Sequence, residues 1–413
     1  VPTTTPAPRT AIAQQAKLVG GSAIGQSWQG WSSAVSGDGN TVVIGGFNDD
    51  SAIAADSNKG AAWIFTRTGS TWDTVGTKLI SNDSVRYSTN AIRAGNSVAI
   101  SRDGNTVAVG APGDNRIGAV TIWVKTGSTW AQQGTKLVGT GSVLLNAAGN
   151  YTGCEQGSSV ALSSDGNTLA VGASYDDDFR GAVWIWTRSG TTWTQQTKLV
   201  APDSSSGDNS RQGSAIAITD DGNTLVVGAS PGPSTGGLAI GGAYVWVRSG
   251  STWSLQGSKL VGSGNTGGSQ QGRSVAISND SNTIAVGGIW DDSLRGAVWI
   301  FTKSGTTWAQ QGSKLVSTGA GDPGANGTQG TAVALSTNGN TLIVGAGDDS
   351  STLVYTRTGT SWSRLGPKQV GTGAIGSSRQ GNSVALSSDS TTLVIGGAGD
   401  DNFVGATWIF YLT

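Results

Sequence analysis

One pattern of apolar and polar positions recurs along the chain, and its third copy shows every part of it. The segment Gly157-Ser158-Ser159-Val160-Ala161-Leu162-Ser163 is followed by the turn residues Asp165-Gly166-Asn167-Thr168 and a continuous small and apolar run, Leu169-Ala170-Val171-Gly172-Ala173. After an acidic segment come Gly181-Ala182-Val183-Trp184-Ile185-Trp186-Thr187, then Ser189-Gly190, then Trp193 through Gln195-Gln196 to Lys198-Leu199-Val200. Short β-branched and aromatic runs punctuated by Asp-Gly-Asn and Ser-Gly predict four antiparallel strands joined by tight hairpins. Four such strands make one propeller blade.

Copies begin near Gly30, Gly95, Gly157, Gly213, Gly272, Gly330 and Gly381, at blade-sized spacings. The fourth strand carries a Trp with a Lys five or six positions later in six copies: Trp72/Lys78, Trp130/Lys136, Trp193/Lys198, Trp253/Lys259, Trp308/Lys314 and Trp362/Lys368. The seventh copy stops one strand short, at Trp408-Ile409-Phe410-Tyr411-Leu412-Thr413, while the start of the chain holds an orphan fourth strand, Gln14-Gln15-Ala16-Lys17-Leu18-Val19. Pairing Gln14 to Val19 with Thr407 to Leu412 would complete the last blade, close the ring and satisfy two open sheet edges at once. The predicted fold is therefore all-β: a seven-bladed propeller over residues 11–413, preceded by a Pro/Thr-rich linker stub at 1–10.

These residues resemble FG-GAP repeats, the units of the integrin α-subunit propeller, in the variant reading G-x-S-V-A-[IL]-S, V-G-A, G-A-V-x-[IV]-[FW] and T-W. The resemblance implies a seven-bladed ring that engages partners on the face bearing the loops between second and third strands and between successive blades. One propeller scaffold hosts many activities, so function must be argued from the site.

Composition narrows the classes. Glycine supplies 66 residues, Trp 16 and apolar residues 36%, which makes the chain turn-rich yet able to pack. With 25 Lys and Arg against 26 Asp and Glu there is no bulk charge to hold a nucleic acid, and no apolar run is long enough to cross a bilayer as a helix. The opening Val1-Pro2-Thr3-Thr4-Thr5-Pro6-Ala7-Pro8 reads as a stub left after removal of an earlier segment. Cys154 stands alone and is expected to fill a small packed position, so no internal disulfide can form. Sequons at Asn82, Asn150, Asn279 and Asn326 fall in predicted turns or loops and would serve in a secretory route.

Candidate chemistry is sparse. Many FG-GAP repeats hold Ca²⁺ in a loop rich in Asp, but here the matching turns, Asp38-Gly39-Asn40, Asp103-Gly104-Asn105 and Asp165-Gly166-Asn167, offer one acid each. They read as hairpin turns, not metal loops. Acidic clusters after the second strands, at Asp49-Asp50, Asp114, Asp176-Asp177-Asp178, Asp291-Asp292, Asp348-Asp349 and Asp400-Asp401, are expected to cap loops or pair with Arg116, Arg180 and Arg295; cation binding is the alternative. The outer-strand Trp is expected to fill the wedge between blades, with a sugar platform as the alternative. The nearby Lys is expected to be a solvated or stem-packed edge charge that discourages edge pairing. With no His and one Glu, Glu155, the Ser-His-Asp, Cys-His and His-metal constellations are excluded, and a paired-Asp glycosidase is the remaining enzymatic option.

The sequence thus predicts no catalytic, cofactor or metal residues. It points to a non-enzymatic extracellular propeller serving adhesion or assembly of a surface structure or filament, with a protein or glycan partner on the loop face, self-assembly possible in principle, and no nucleic acid. A multivalent carbohydrate-binding propeller is the alternative.

Overall fold

The structure, a computed structural model, describes residues 11–50, 58–87, 90–144, 153–204, 209–232, 239–317, 322, 324 and 326–412. The expected linker at 1–10 and the sequon at Asn150 lie outside the described residues.

Seven antiparallel sheets follow the predicted repeat, and blade 3 shows the order: Ser159–Leu162 innermost, then Thr168–Ala173, Ala182–Ser189 and Thr192–Leu199 at the rim. Blade 1 departs slightly, because its outer strand is broken into Thr71–Trp72 and Thr77–Leu79. Each innermost strand packs on that of the next blade, and the series returns from Gln380–Leu386 to Ser32–Val35. The ring is closed.

Closure uses the two ends of the chain. Ile12–Leu18 pairs antiparallel with Ala406–Leu412, with Lys17 opposite Trp408, Leu18 opposite Thr407 and one irregularity between Gln14 and Ala16. The strand starts two residues before the expected Gln14 and stops short of Val19, but its partner and direction are those the orphan strand predicts.

Burial explains the repeat pattern. Every second strand, such as Thr168–Ala173, is buried along its whole length, because neighbouring blades cover both of its faces. That environment selects a continuous apolar run over an alternating one. The core is accordingly a series of clusters between blades. One of them joins Ala108 and Ile122 of blade 2 to Val160, Leu169 and Trp184 of blade 3.

The strand directions sort the connections. Turns between first and second strands and between third and fourth strands emerge on one face, here the turn face. The second-to-third connections and the links between blades emerge on the other, the loop face. As in propellers generally, the innermost strands surround a central channel between the two faces.

Candidate functional site

The acidic clusters on the loop face are the obvious place to look for chemistry, and the structure gives their leading carboxylates a different role. Lys78 pairs with Asp49 at 2.5 Å, Lys136 with Asp114 at 2.6 Å, Lys198 with Asp176 at 2.5 Å, Lys368 with Asp349 at 2.9 Å and Lys17 with Asp400 at 2.6 Å. Lys314 pairs with Asp291 in the same way. In five of these six pairs the Asp side chain is essentially buried, at 0–2% exposure. The second carboxylate oxygen accepts a backbone N–H from the preceding inter-blade loop, as Asp176 does from Val143 at 2.8 Å and Asp291 from Thr266 at 2.7 Å. The Lys is therefore more than the solvated or stem-packed edge charge expected from sequence. It is the counter-ion of a buried carboxylate, and together they tie the rim strand to the loop face.

Desolvation is the leading influence on Asp114 and Asp176 and raises both above the ordinary carboxylate range, although Lys136 and Lys198 pull the other way. The expected arginine pairs do form one turn along, Arg180 with Asp177 at 3.4 Å and Arg295 with Asp292 at 2.7 Å, while Arg116 stacks on Tyr87 at 4.6 Å. Among the described residues no group of three or more acidic, Cys or His side chains is placed to hold a metal ion. Blade 4 is the exception to the pairing: Lys259 lies over the Tyr244 ring at 5.8 Å.

A second repeated device is a buried glutamine just before the first-strand glycine. Gln156 accepts the Gly139 N–H at 2.6 Å and returns its amide N–H to the Gly139 carbonyl at 2.8 Å, while its own backbone N–H reaches Ile117 of the preceding blade at 2.8 Å. Gln29, Gln271, Gln329 and Gln380 clamp Gly20, Gly262, Ser317 and Gly371 in the same two-way fashion, and Gln212 accepts from Ala201. The clamped residue in turn packs on the third strand. A Cβ on Gly139 would lie 2.3 Å from the Trp184 ring, and Gly20, Gly262 and Gly371 face Trp63, Trp299 and Trp408 equally closely. Sequence reasoning passed over this clamp, though its signal is the Gln-Gly pair in six of the seven copies.

On the turn face the chemistry is local. Asp165 accepts from Ser163 Oγ at 2.5 Å, from the Asn167 backbone at 2.9 Å and from Asn167 Nδ2 at 3.0 Å; Asp38, Asp103 and Asp221 repeat this set. Desolvation works against it, but these bonds prevail and hold all four carboxyls below their usual value. Around the channel the turns are linked by backbone bonds, Gly37 to Arg102, Arg102 to Ser164 and Ser164 to Asp220, at 2.8, 3.0 and 2.9 Å. Arg102 of blade 2 also pairs with Asp220 of blade 4 at 2.6 Å, and Asn279 donates to the same carboxylate at 2.6 Å. The sequon amide at Asn279 is thus engaged in a structural bond.

The outer-strand tryptophans pack between blades. Trp193, Trp253, Trp308 and Trp362 donate their indole N–H to Gln133, Gln196, Gln256 and Gln311 of the preceding blade, at 2.9–3.1 Å. A cation covers each ring: Arg188, Arg248, Lys303 and Arg357 sit 5.3–5.5 Å from the centroids. They are not open sugar platforms. Cys154 is buried as expected, and burial, with Asp176 nearby, pushes its thiol up to about 12.

What the repeat does not fix is the loop-face mouth of the channel. The residue directly after each first-strand glycine points there, one from each blade: Trp31, Asn96, Ser158, Ser214, Arg273, Thr331 and Asn382. With Tyr175, Arg211, Ser230 and Gln270 from the surrounding loops they enclose a cavity of about 420 Å³, and no carboxylate among the described residues lines it. Arg211 is held over the Tyr175 and Phe179 rings at 5.0 and 5.2 Å and donates to Asn209 at 2.9 Å. Arg273 has no hydrogen-bond or ion-pair partner among the described residues. Water reaches it, yet desolvation by the channel wall lowers its pKa from the usual arginine value. Arginine remains a cation there.

A ring of seven four-stranded blades, fastened by repeated buried clamps and open at one mouth, defines a β-propeller scaffold of the binding or structural kind. The FG-GAP repeat family model matches residues 193–246, from the rim strand of blade 3 into the third strand of blade 4, and the other blades repeat the same elements. The chain is a seven-bladed β-propeller in which residues 193–246 match the FG-GAP repeat. No curated protein matches its sequence. Among solved structures it is similar to hydrazine synthase of Kuenenia stuttgartiensis, with 13% identity and a TM-score of 0.55 over 94% of this chain and 97% of that one. U3-55K gives 14% identity and a TM-score of 0.55 over 97% and 99%, and the RRP9 WD40 repeats give 14% and 0.55 over 98% and 99%. At such identities the likeness is one of fold.

Proposed function

We propose that this propeller works outside the cell as a non-catalytic module whose loop face engages a protein partner or further copies of itself, in adhesion or in building a surface structure or filament. One observation carries the reading: side chains below the loops repeat from blade to blade and serve the fold, whereas the loop-face mouth carries five residue types at its seven equivalent positions. Positions released from the repeat are where recognition is placed on a rigid scaffold. The non-catalytic part rests on the absence of His and on the engagement of the repeated carboxylates with Lys, Ser and Asn partners. The low proportion of charged residues, 12%, and the Ser- and Gly-rich connections suit a displayed module.

The test is a footprint. Hydroxyl-radical labelling with and without self-association or a captured partner should protect the loop face around Trp31 and Tyr175. Protection confined to the Ser-Gly turns, or turnover of glycosides lost on substituting a loop Asp, would oppose the reading.

A glycan-binding reading has one specific observation in its favour. The cavity has the volume of a small-ligand site and combines Trp31 and Tyr175 with amide, hydroxyl and guanidinium groups.

A further inference from the structure

We infer that the loop-face mouth of the channel is an oxyanion site, taking a carboxylate, sulfate or phosphate group on a small polar ligand, with Arg273 as its principal contact. The inference rests on the loop face being the binding face, and it adds the chemistry of what binds.

Charge is the first ground. Two arginines and, among the described residues, no acid line the cavity, in a molecule whose formal net charge is only −1. Six rim lysines have carboxylate partners, and Arg102 at the opposite mouth is paired with Asp220. Arg273 has no acid partner among the described residues. Its guanidinium, open to solvent and without a counter-ion among the described residues, can bind an anion through two parallel N–H bonds.

Geometry is the second ground. Arg273 follows Gly272 near the start of the innermost strand Gln271–Ile277, at the irregularity between Gln271 and Ser274, and lines the axial cavity. Arg211 enters from a loop, oriented by its stacking on Tyr175 and Phe179 and by Asn209. Asn96 and Asn382 each donate their amide N–H to a neighbouring blade, at 3.0 Å to the Ser158 and Trp31 carbonyls. This fixes the orientation of both amides at the channel rim. A volume of about 420 Å³ admits a group the size of one sugar ring and excludes a folded chain.

The test uses the whole chain at low ionic strength, where screening is weakest. Trp31 in the wall makes indole fluorescence a direct readout, and the melting temperature gives a second. Glucuronate, sodium sulfate and inorganic phosphate are titrated, with glucose as the neutral control. Saturable change with one or more anions and none with glucose is the expected result. Glucuronate alone would identify a carboxylate on a sugar body as the source, and sulfate or phosphate alone a tetrahedral oxyanion. Arg273→Gln should weaken binding by about tenfold or more, the loss typical of a charge-assisted contact, and should abolish the anion-induced rise in melting temperature. Arg273→Lys should recover part of it. Because Arg273 supports no other side chain, Arg273→Gln should melt at or above the wild-type temperature without ligand. The inference is overturned if no anion saturates, if glucose binds as well as glucuronate, or if Arg273→Gln binds the anions unchanged. A loop-face footprint with no anion effect would refute this site and leave the proposed function standing.

Discussion

The two mouths of the axial channel are made by the same seven repeats, yet they have opposite character. At the turn face the residues repeat and their polar atoms are satisfied within a few positions in sequence: Asp165 by Ser163 and Asn167, and so on around the ring. Arg102, which reaches across two blades there, meets Asp220. At the loop face the carboxylates are drawn outward and downward to the rim lysines, and the axis is left to a varied set with an unpartnered Arg273. The difference follows from chain geometry. A tight turn such as Ser164 to Asn167 leaves little room for variation, because its positive-φ position and its satisfied donors are prescribed. Longer connections carry no such prescription once a clamp at their base fixes the strands.

If the loop-face clamps carry the scaffold, breaking one should have the largest effect of any single change proposed here. Lys198→Met leaves the Asp176 carboxylate buried and unpaired and should cost about 3–5 kcal/mol in chemical denaturation, with most of the loss recovered in Lys198→Met/Asp176→Asn. The pH dependence has a fixed sign. Burial already raises Asp176, so the folded state takes up its proton more readily than the unfolded chain does. The stability linked to this group is present below the unfolded pKa and lost as pH rises through the folded one. The penalty of Lys198→Met should therefore shrink on acidification.

Next in size is Gly139→Ala. Its methyl would meet the Trp184 ring, and overpacking of this kind costs about 1–3 kcal/mol. The same change in reverse, Ala201→Gly beneath Tyr244, should be felt far less, and thermal melts of the two variants separate a steric clamp from a merely glycine-rich loop.

On the turn face the effects should be smaller and of opposite pH sign. Asp165→Ala removes three local bonds and should cost about 1–2 kcal/mol near neutrality. Asp165 lies below the usual carboxyl value because hydrogen bonds from Ser163 and Asn167 overcome its desolvation. Its contribution is therefore present above the unfolded pKa and lost as pH falls through the depressed folded one. Urea titrations from neutrality into the carboxyl range should show Asp165→Ala converging on wild type in acid. Smallest of all, Arg102→Ala should change stability by about 0–1 kcal/mol, because its pair with Asp220 is 51% and 33% exposed.

Much of this is legible in the sequence, and the limits have physical causes. Strand order, blade count and closure follow from short-range patterns that every copy repeats, and the orphan Gln14-to-Val19 strand announces its own partner. The turn-face role of Asp-Gly-Asn is equally local. The Lys–Asp pairs are harder, since Asp176 and Lys198 lie on different connections and either charge alone reads as a surface group. The glycine clamp does leave a trace within the one chain: Gly20, Gly139, Gly262 and Gly371 accompany Trp63, Trp184, Trp299 and Trp408, while Ala201 accompanies Tyr244 and Ser81 and Ser317 accompany Thr121 and Leu353. Arg273 leaves none, because nothing in a sequence distinguishes an unpaired arginine from a paired one.

Pairing the first strand with the last also decides how the molecule can be hung. Ile12 lies opposite Leu412, so both ends of the described chain reach the outermost edge of a single blade together, at its turn-face corner. A tether joined at Ile12 or Leu412 would be anchored at that same corner, on the side away from Arg273. The ring can then be held by its edge like a pendant, with the loop-face mouth turned outward and unobstructed.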